Sequence, residues 1–264
     1  MRPREYAFDP GWDGETERLR TNESIWDDGT FERFDRLGMA PGWRCLEVGA
    51  GNGSAAAWLA DRAGPAGLVV AVDMETGRLS HLAERGVRVV RADLRSEDLL
   101  AQLPPGGFDL VHARMVVQHL AEPQAAVGTM IRALRPGGHL FLEDTDSLTL
   151  FRSHRSEDFL RDVKDAGYGL MRAAGHEPRG GHFDLRMLLA SELTDVRAEG
   201  RAVMVTGGSE QARHYMLWLE YLRPRIVAAG LLTDERIDAA LAEMADPGNQ
   251  WLSQVLISTF GRRP

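Results

Sequence analysis

The chain has 264 residues, enough for one large α/β domain, and its 44% apolar and 27% charged residues are the balance of a globular protein with a solvated surface. A net charge of −8 argues against a duplex-binding face, and the single cysteine, Cys45, excludes an internal disulfide and a multi-cysteine zinc site. No stretch reaches the roughly 20 apolar residues of a membrane helix and the opening MRPREYAFDP lacks an apolar signal core, so a cytoplasmic chain with no membrane or nucleic-acid partner is expected.

Residues 1–42 read as an irregular, partly helical segment carrying Tyr6, Trp12, Trp26 and Phe31. From Trp43 to Asp146 short apolar runs alternate with helical patterns. Strands are predicted at 44–48, 68–73, 87–91, 108–113 and 139–143, each apolar enough to be covered on both faces of a parallel sheet. Ser54 opens one intervening helix, Pro123 suits the first turn of another, and Pro136-Gly137-Gly138 marks its stop. Beyond Asp146 the texture turns to amphipathic helices at 155–174 and 209–230, with a kink expected at Pro224. Further strands at 195–205 and 254–260 complete a seven-stranded, mostly parallel, doubly wound sheet.

The segment Cys45-Leu46-Glu47-Val48-Gly49-Ala50-Gly51-Asn52-Gly53-Ser54 runs from a strand through a glycine-rich turn into a helix. Alternating glycines let a ligand approach the backbone, and the helix N-terminus offers free N–H groups and a positive dipole end. Gly51-Asn52-Gly53-Ser54-Ala55-Ala56 also reads as a G-x-G-x-x-A dinucleotide turn, and Asp73, ending the next strand, suits the ribose diol of either cofactor.

Further motifs follow in order: Val72-Asp73-Met74, Ala92-Asp93-Leu94, Phe108 to Arg114 followed by Val117-Gln118-His119-Leu120, and Leu134-Arg135-Pro136-Gly137-Gly138. With Glu47, Gly49, Gly51 and Gly53 they make residues 43–146 resemble the class I S-adenosylmethionine-dependent methyltransferases, above all the ubiquinone/menaquinone-type and bacterial natural-product enzymes. The resemblance implies a Rossmann-like fold, S-adenosylmethionine as cofactor, and methyl transfer to a small molecule, oxygen preferred over nitrogen or carbon, in secondary metabolism. It also implies cofactor contacts at Glu47, Gly49, Gly51, Gly53, Asp73, Met74, Asp93, Leu94 and Arg114. Residues 1–42 resemble the family's helical lid, leaving 43–264 as the catalytic domain with helical caps at about 147–192 and 209–251. A monomer or homodimer is expected.

A sulfonium methyl donor needs its acceptor held in line, and an oxygen acceptor also needs somewhere to put its proton. His119 is the catalytic candidate, because it follows the fourth strand at the edge of the sheet where open α/β folds bind ligands. His154, His176, His182 and His214 lie in the cap regions. Glu143, Asp144 and Asp146 follow the fifth strand and invite a cation. The metal-dependent relatives also carry an acid at the end of strand four, where this chain has His112-Ala113-Arg114, so no metal is expected. The chain lacks the [DN]-P-P-[YF] pattern of enzymes acting on amide or nucleobase nitrogens. A cyclase or isomerase that keeps the cofactor without methyl transfer is the alternative, and a NAD-dependent oxidoreductase stands behind it.

Overall fold

The computed structural model describes residues 8–96 and 98–264. The chain enters through α1 (Glu15–Arg36) and then alternates: β1 (Arg44–Val48), α2 (Ser54–Ala63), β2 (Leu68–Asp73), a 3₁₀ segment (Gly77–Arg85), β3 (Arg88–Arg91), α3 (Leu99–Gln102), β4 (Phe108–Arg114), a short 3₁₀ turn (Val117–His119), α4 (Pro123–Ala133) and β5 (Leu134–Asp146). The second half holds α5 (Arg161–Ala173), α6 (Gly180–Leu189), β6 (Thr194–Arg201), β7 (Met204–Thr206), α7 (Glu210–Ala228), α8 (Asp234–Ala245), β8 (Gln250–Leu252) and β9 (Val255–Arg262).

Among the described residues the main sheet has seven strands in the order β3-β2-β1-β4-β5-β9-β6. Neighbours from β3 through β5 are parallel, and β9 runs antiparallel to both β5 and β6. The order reverses between β1 and β4, which opens a crevice at the carboxyl ends of those strands. Because side chains alternate across a strand, Val69 and Ala71 enter one core with Phe34 of α1 and Leu59 of α2, while Val70 and Val72 enter the other with Met130 of α4.

A third core lies over the carboxyl ends. Ile25 and Trp26 of α1 meet Tyr168 and Met171 of α5, Tyr215, Trp218 and Leu222 of α7, Ile237 and Met244 of α8, and Trp251 of β8. α1 therefore belongs to two cores, the cap at Ile25 and Trp26 and the sheet flank at Phe34. α6 packs against β5, β9 and β6, so it flanks the sheet rather than covering the crevice. Of the aromatics singled out in the N-terminal segment, Trp12 meets Tyr221 edge to face and Phe31 stacks on Trp58, while Tyr6 lies outside the described residues.

Several boundaries depart from the sequence reading. The helix expected from residue 155 begins only at Arg161, because Ser153 Oγ and Ser156 Oγ accept from the amides of Arg155 and Asp158, and Leu160 takes φ +52°. The strand expected at 195–205 is two: the chain leaves the main sheet after Arg201, and β7 pairs with β8 in a separate two-stranded sheet. Ser253 stitches this crossover, its hydroxyl and its amide bonding the Val203 amide and carbonyl at 2.9 Å each. α4 ends at Ala133, before the Pro136-Gly137-Gly138 turn, which forms the irregular start of β5 where its register on β4 shifts. α7 runs through Pro224 as one helix.

Candidate active site

The turn after β1 carries Gly49 at φ +69° and Gly51 at φ +60°. A Cβ on Gly49 would lie 2.3 Å from Val116 Cγ2, whereas one on Gly51 would meet nothing nearer than Leu19 at 3.7 Å. Gly49 is thus fixed by the neighbouring β4 turn, and Gly51 by the need for an open backbone facing a cavity. Asp73, at the end of β2, sets the shape of this turn: Oδ2 accepts from the Gly51 amide and Oδ1 from the Glu75 amide, both at 2.9 Å. Its carboxylate keeps further lone pairs for a ligand.

A cavity of about 440 Å³ opens beside these residues, between the sheet edge, α1 and the cap helices. At one end are Gly49, Gly51, Asp73, Met74, Ala92, Asp93, Leu94 and Arg95. Met74 is exposed at the rim. Asp93 is held by Arg95 Nη2 at 2.6 Å, and this bond keeps its carboxyl below the usual range. At the other end are Met115, Gln118, His119, Tyr168, Met171, His176, His214, Trp218 and Gln254.

The β4 turn that carries His119 is braced by β5. The Gln118 amide donates to Asp144 Oδ2 at 2.6 Å, and Gln118 Oε1 accepts from the Thr145 amide and hydroxyl at 3.0 and 2.9 Å. Met115 at the start of this turn sits at φ +56°, a strained conformation for a long side chain and one found at functional sites. Burial, reinforced by His176 and Arg18, drives the His119 pKa well below 6.5, so its imidazole is neutral. Burial likewise lowers His176 to about 4 and His214 to about 3.

The structure separates the residues singled out in the sequence into three groups. Gly49, Gly51, Asp73, Met74, Asp93, Leu94, Arg114 and His119 all line the cavity. Glu47 and Gly53 do not. Glu47 points into the sheet flank, where its Oε2 lies 2.7 Å from His112 Nδ1, and Gly53 caps α2 against Leu79 and Leu82. Arg114 reaches the cavity wall but commits its guanidinium to α1, donating to Asp27 Oδ1 at 2.7 Å and Thr30 Oγ1 at 2.9 Å. The acids at the end of β5 are dispersed: Glu143 binds Thr30, Ser258 and His112, Asp144 holds Gln118, and Asp146 caps the turn at Leu148.

Of the cap histidines, His176 and His214 reach the cavity, while His182 pairs with Asp146 and His154 lies against Gln250. Tyr168, Trp218 and Gln254 were not foreseen. Their only sequence signal is the apolar face of the helices that carry the two aromatics. α1 closes over the glycine turn through Asn52 Nδ2 to Thr16 O at 3.0 Å and Ser54 Oγ to Asp27 Oδ1 at 3.1 Å.

Residues 46–142 match a family model described as a methyltransferase domain. In this stretch the chain is similar to methyltransferases. The chain is 31% identical over 164 residues to the ubiquinone biosynthesis O-methyltransferase of Dechloromonas aromatica, covering 61% of this chain and 64% of that protein. It is 26% identical to phosphoethanolamine N-methyltransferase 1 of Arabidopsis thaliana over 65% of this chain and 33% of that protein. The chain therefore matches between a third and two thirds of these relatives' lengths. In fold it is similar to a cyclopropane-fatty-acyl-phospholipid synthase-like protein from Lactobacillus casei, with TM-score 0.60 at 18% identity, covering 94% of this chain and 92% of that one.

The cofactor of class I methyltransferases is S-adenosylmethionine, and the residues present fit it. The open backbone at Gly51, the strand-end carboxylate of Asp73, the apolar Met74 beside it and the Asp93-Leu94 pair beyond lie along one wall of one cavity. Among the described residues no helix is long and apolar enough to cross a membrane.

Proposed function

We propose that the chain transfers a methyl group from S-adenosylmethionine to an oxygen of a small-molecule acceptor held under the cap. The observation that carries this reading is the continuity of the cavity, from the Gly51 and Asp73 wall to the end walled by His119, His176 and Tyr168. The likeness to an O-methyltransferase supports oxygen as the acceptor atom.

When bound, S-adenosylmethionine supplies an electrophilic methyl group that needs only an in-line nucleophile. Asp73 would hold the ribose hydroxyls by accepting their hydrogen bonds, Met74 would pack on the adenine, and Asp93 with Leu94 would hold the base beyond it. The open Gly51 backbone would receive the amino-acid part. Arg114 acts through α1, positioning the helix that closes the site. His119, neutral across the physiological range, accepts a hydrogen bond from the acceptor hydroxyl and orients its lone pair. As the hydroxyl oxygen takes the methyl group it becomes far more acidic than an imidazolium, so its proton passes to the His119 nitrogen it is hydrogen-bonded to, despite that ring's low basicity. The cap excludes water from the reacting atoms.

Calorimetric titration with S-adenosylmethionine and S-adenosylhomocysteine tests the cofactor half. Asp73→Ala removes hydrogen bonds to a charged acceptor and should weaken both ligands by about tenfold or more. Failure of the well-folded native chain to bind either ligand would sink the reading. Turnover that leaves the cofactor intact would instead favour a cyclase or isomerase.

A further inference from the structure

We propose that the inner end of the cavity takes an uncharged, flat, hydroxyl-bearing acceptor, and that His176 selects it by hydrogen bonding directly to that acceptor. The inference rests on the methyl-transfer reading and adds the substrate class and a specificity-determining residue.

His176 lies in the link between α5 and α6 with only 5% of its surface exposed. Its backbone is pinned by the bond from its amide to Met171 O at 3.0 Å. Both ring nitrogens are buried without a hydrogen-bond partner, although the ring lines the cavity. Buried imidazole nitrogens left unpaired are costly, and a ligand hydroxyl can satisfy one of them, donating to the bare nitrogen or accepting from the protonated one. The His119 ring stands 4.9 Å away and the Tyr168 ring 5.7 Å away, centroid to centroid, so one polar ligand group can be shared with His119.

The charges at this end are already neutralised. Arg18 is bound by Glu15 in two bonds of 2.7 and 2.8 Å and lies over the Phe8 ring. Arg172, the other cation near His176, lines a neighbouring cleft and not this cavity. A phosphate or carboxylate on the acceptor would meet neutral imidazoles, and an ammonium would find no unpaired acid among the described residues lining this end. The walls are aromatic: the Tyr168 and Trp218 rings pack against each other at 5.9 Å between centroids, tilted by 45°, and Trp218 Nε1 is satisfied internally by Met171 Sδ at 3.1 Å. Aromatic rings of this kind favour a planar guest.

The test is calorimetry on protein saturated with S-adenosylhomocysteine, using 2-naphthol and 4-phenylphenol as neutral probes and 2-naphthyl phosphate as the charged one. The neutral phenols should bind, and the phosphate ester should bind at least about tenfold more weakly. His176→Phe keeps the ring and loses the nitrogens; it should weaken the phenols by about tenfold while leaving adenosylhomocysteine affinity within about twofold. His176→Gln, which keeps a donor and an acceptor, should recover most of that loss. Equal or tighter binding of the phosphate ester overturns the proposal, as does undiminished phenol binding by His176→Phe. Cofactor binding without any phenol binding overturns the substrate class alone, whereas absence of cofactor binding overturns the methyl-transfer reading beneath it. If His176→Phe no longer binds adenosylhomocysteine, the glutamine variant and the ester comparison decide on the same criteria.

Discussion

Gly49 combines a left-handed backbone with a neighbour where a side chain would be, so Gly49→Ala must both strain φ and displace Val116. That displacement reaches the turn bearing Gln118 and His119. Gly49→Ala should therefore unfold more easily by about 1–3 kcal/mol in a urea titration and lose cofactor affinity by calorimetry. A variant matching the native chain in both would show that the β4 turn yields freely. Asp73 was singled out from its strand end and Asp93 through the family resemblance, and both come to the cavity wall. The direction of Glu47 was not legible, because a motif gives the residue and not its face. On β1 the alternation sends Leu46 and Val48 to one core and Cys45 to the other, and Glu47 follows Cys45 toward His112 and away from the cavity. The value of Arg114 was likewise hidden, since its partners Asp27 and Thr30 come from a helix, 87 and 84 residues earlier respectively.

α1 is held over the glycine turn by polar bonds that a single substitution can cut. Asp27 accepts from Arg114 and from Ser54, joining helix, strand end and turn. Asp27→Asn removes the charge opposite a nearly buried guanidinium, for an expected loss of about 2–4 kcal/mol. Hydrogen exchange should report this as faster opening of the N-terminal half of α1, with Phe34 and its neighbours unaffected. Unchanged exchange across the helix would mean that apolar packing alone holds it. The strands of the parallel half were readable because burial on both faces makes them continuous apolar runs. β7 and β8 were not, because three-residue strands show no period and the second fell inside a segment read as helical cap. α6 was mistaken for cap because an amphipathic pattern does not say what it packs against.

For the whole molecule, buried titratable groups predict a loss of stability on the alkaline side. Burial disfavours charging His112, but Glu47 and Glu143 together outweigh it and lift the imidazole to about 9. A folded-state value above the 6.5 of a free imidazole gives stability that is complete below 6.5 and disappears as pH rises through 9. Burial also raises Asp184 to about 8 from 3.8, so the folded chain keeps a proton that the unfolded chain releases, and stability again falls as pH rises toward 8. Tm should drop by roughly 5–10 °C between about pH 6.5 and 9, and Asp184→Asn, which cannot ionise, should flatten part of that slope. A flat native profile over this window would contradict both assignments. The same long-range interdependence limits how the chain can be rebuilt. Because α1 lends Ile25 and Trp26 to the cap and Phe34 to the sheet, the layer over the cavity is not a cassette. A chimera that imports foreign segments at 147–192 and 209–251 would set a new α5, α7 and α8 against an old α1 and would also exchange α6 on the sheet flank, so recombination aimed at a new cavity should exchange residues 8–36 in the same step.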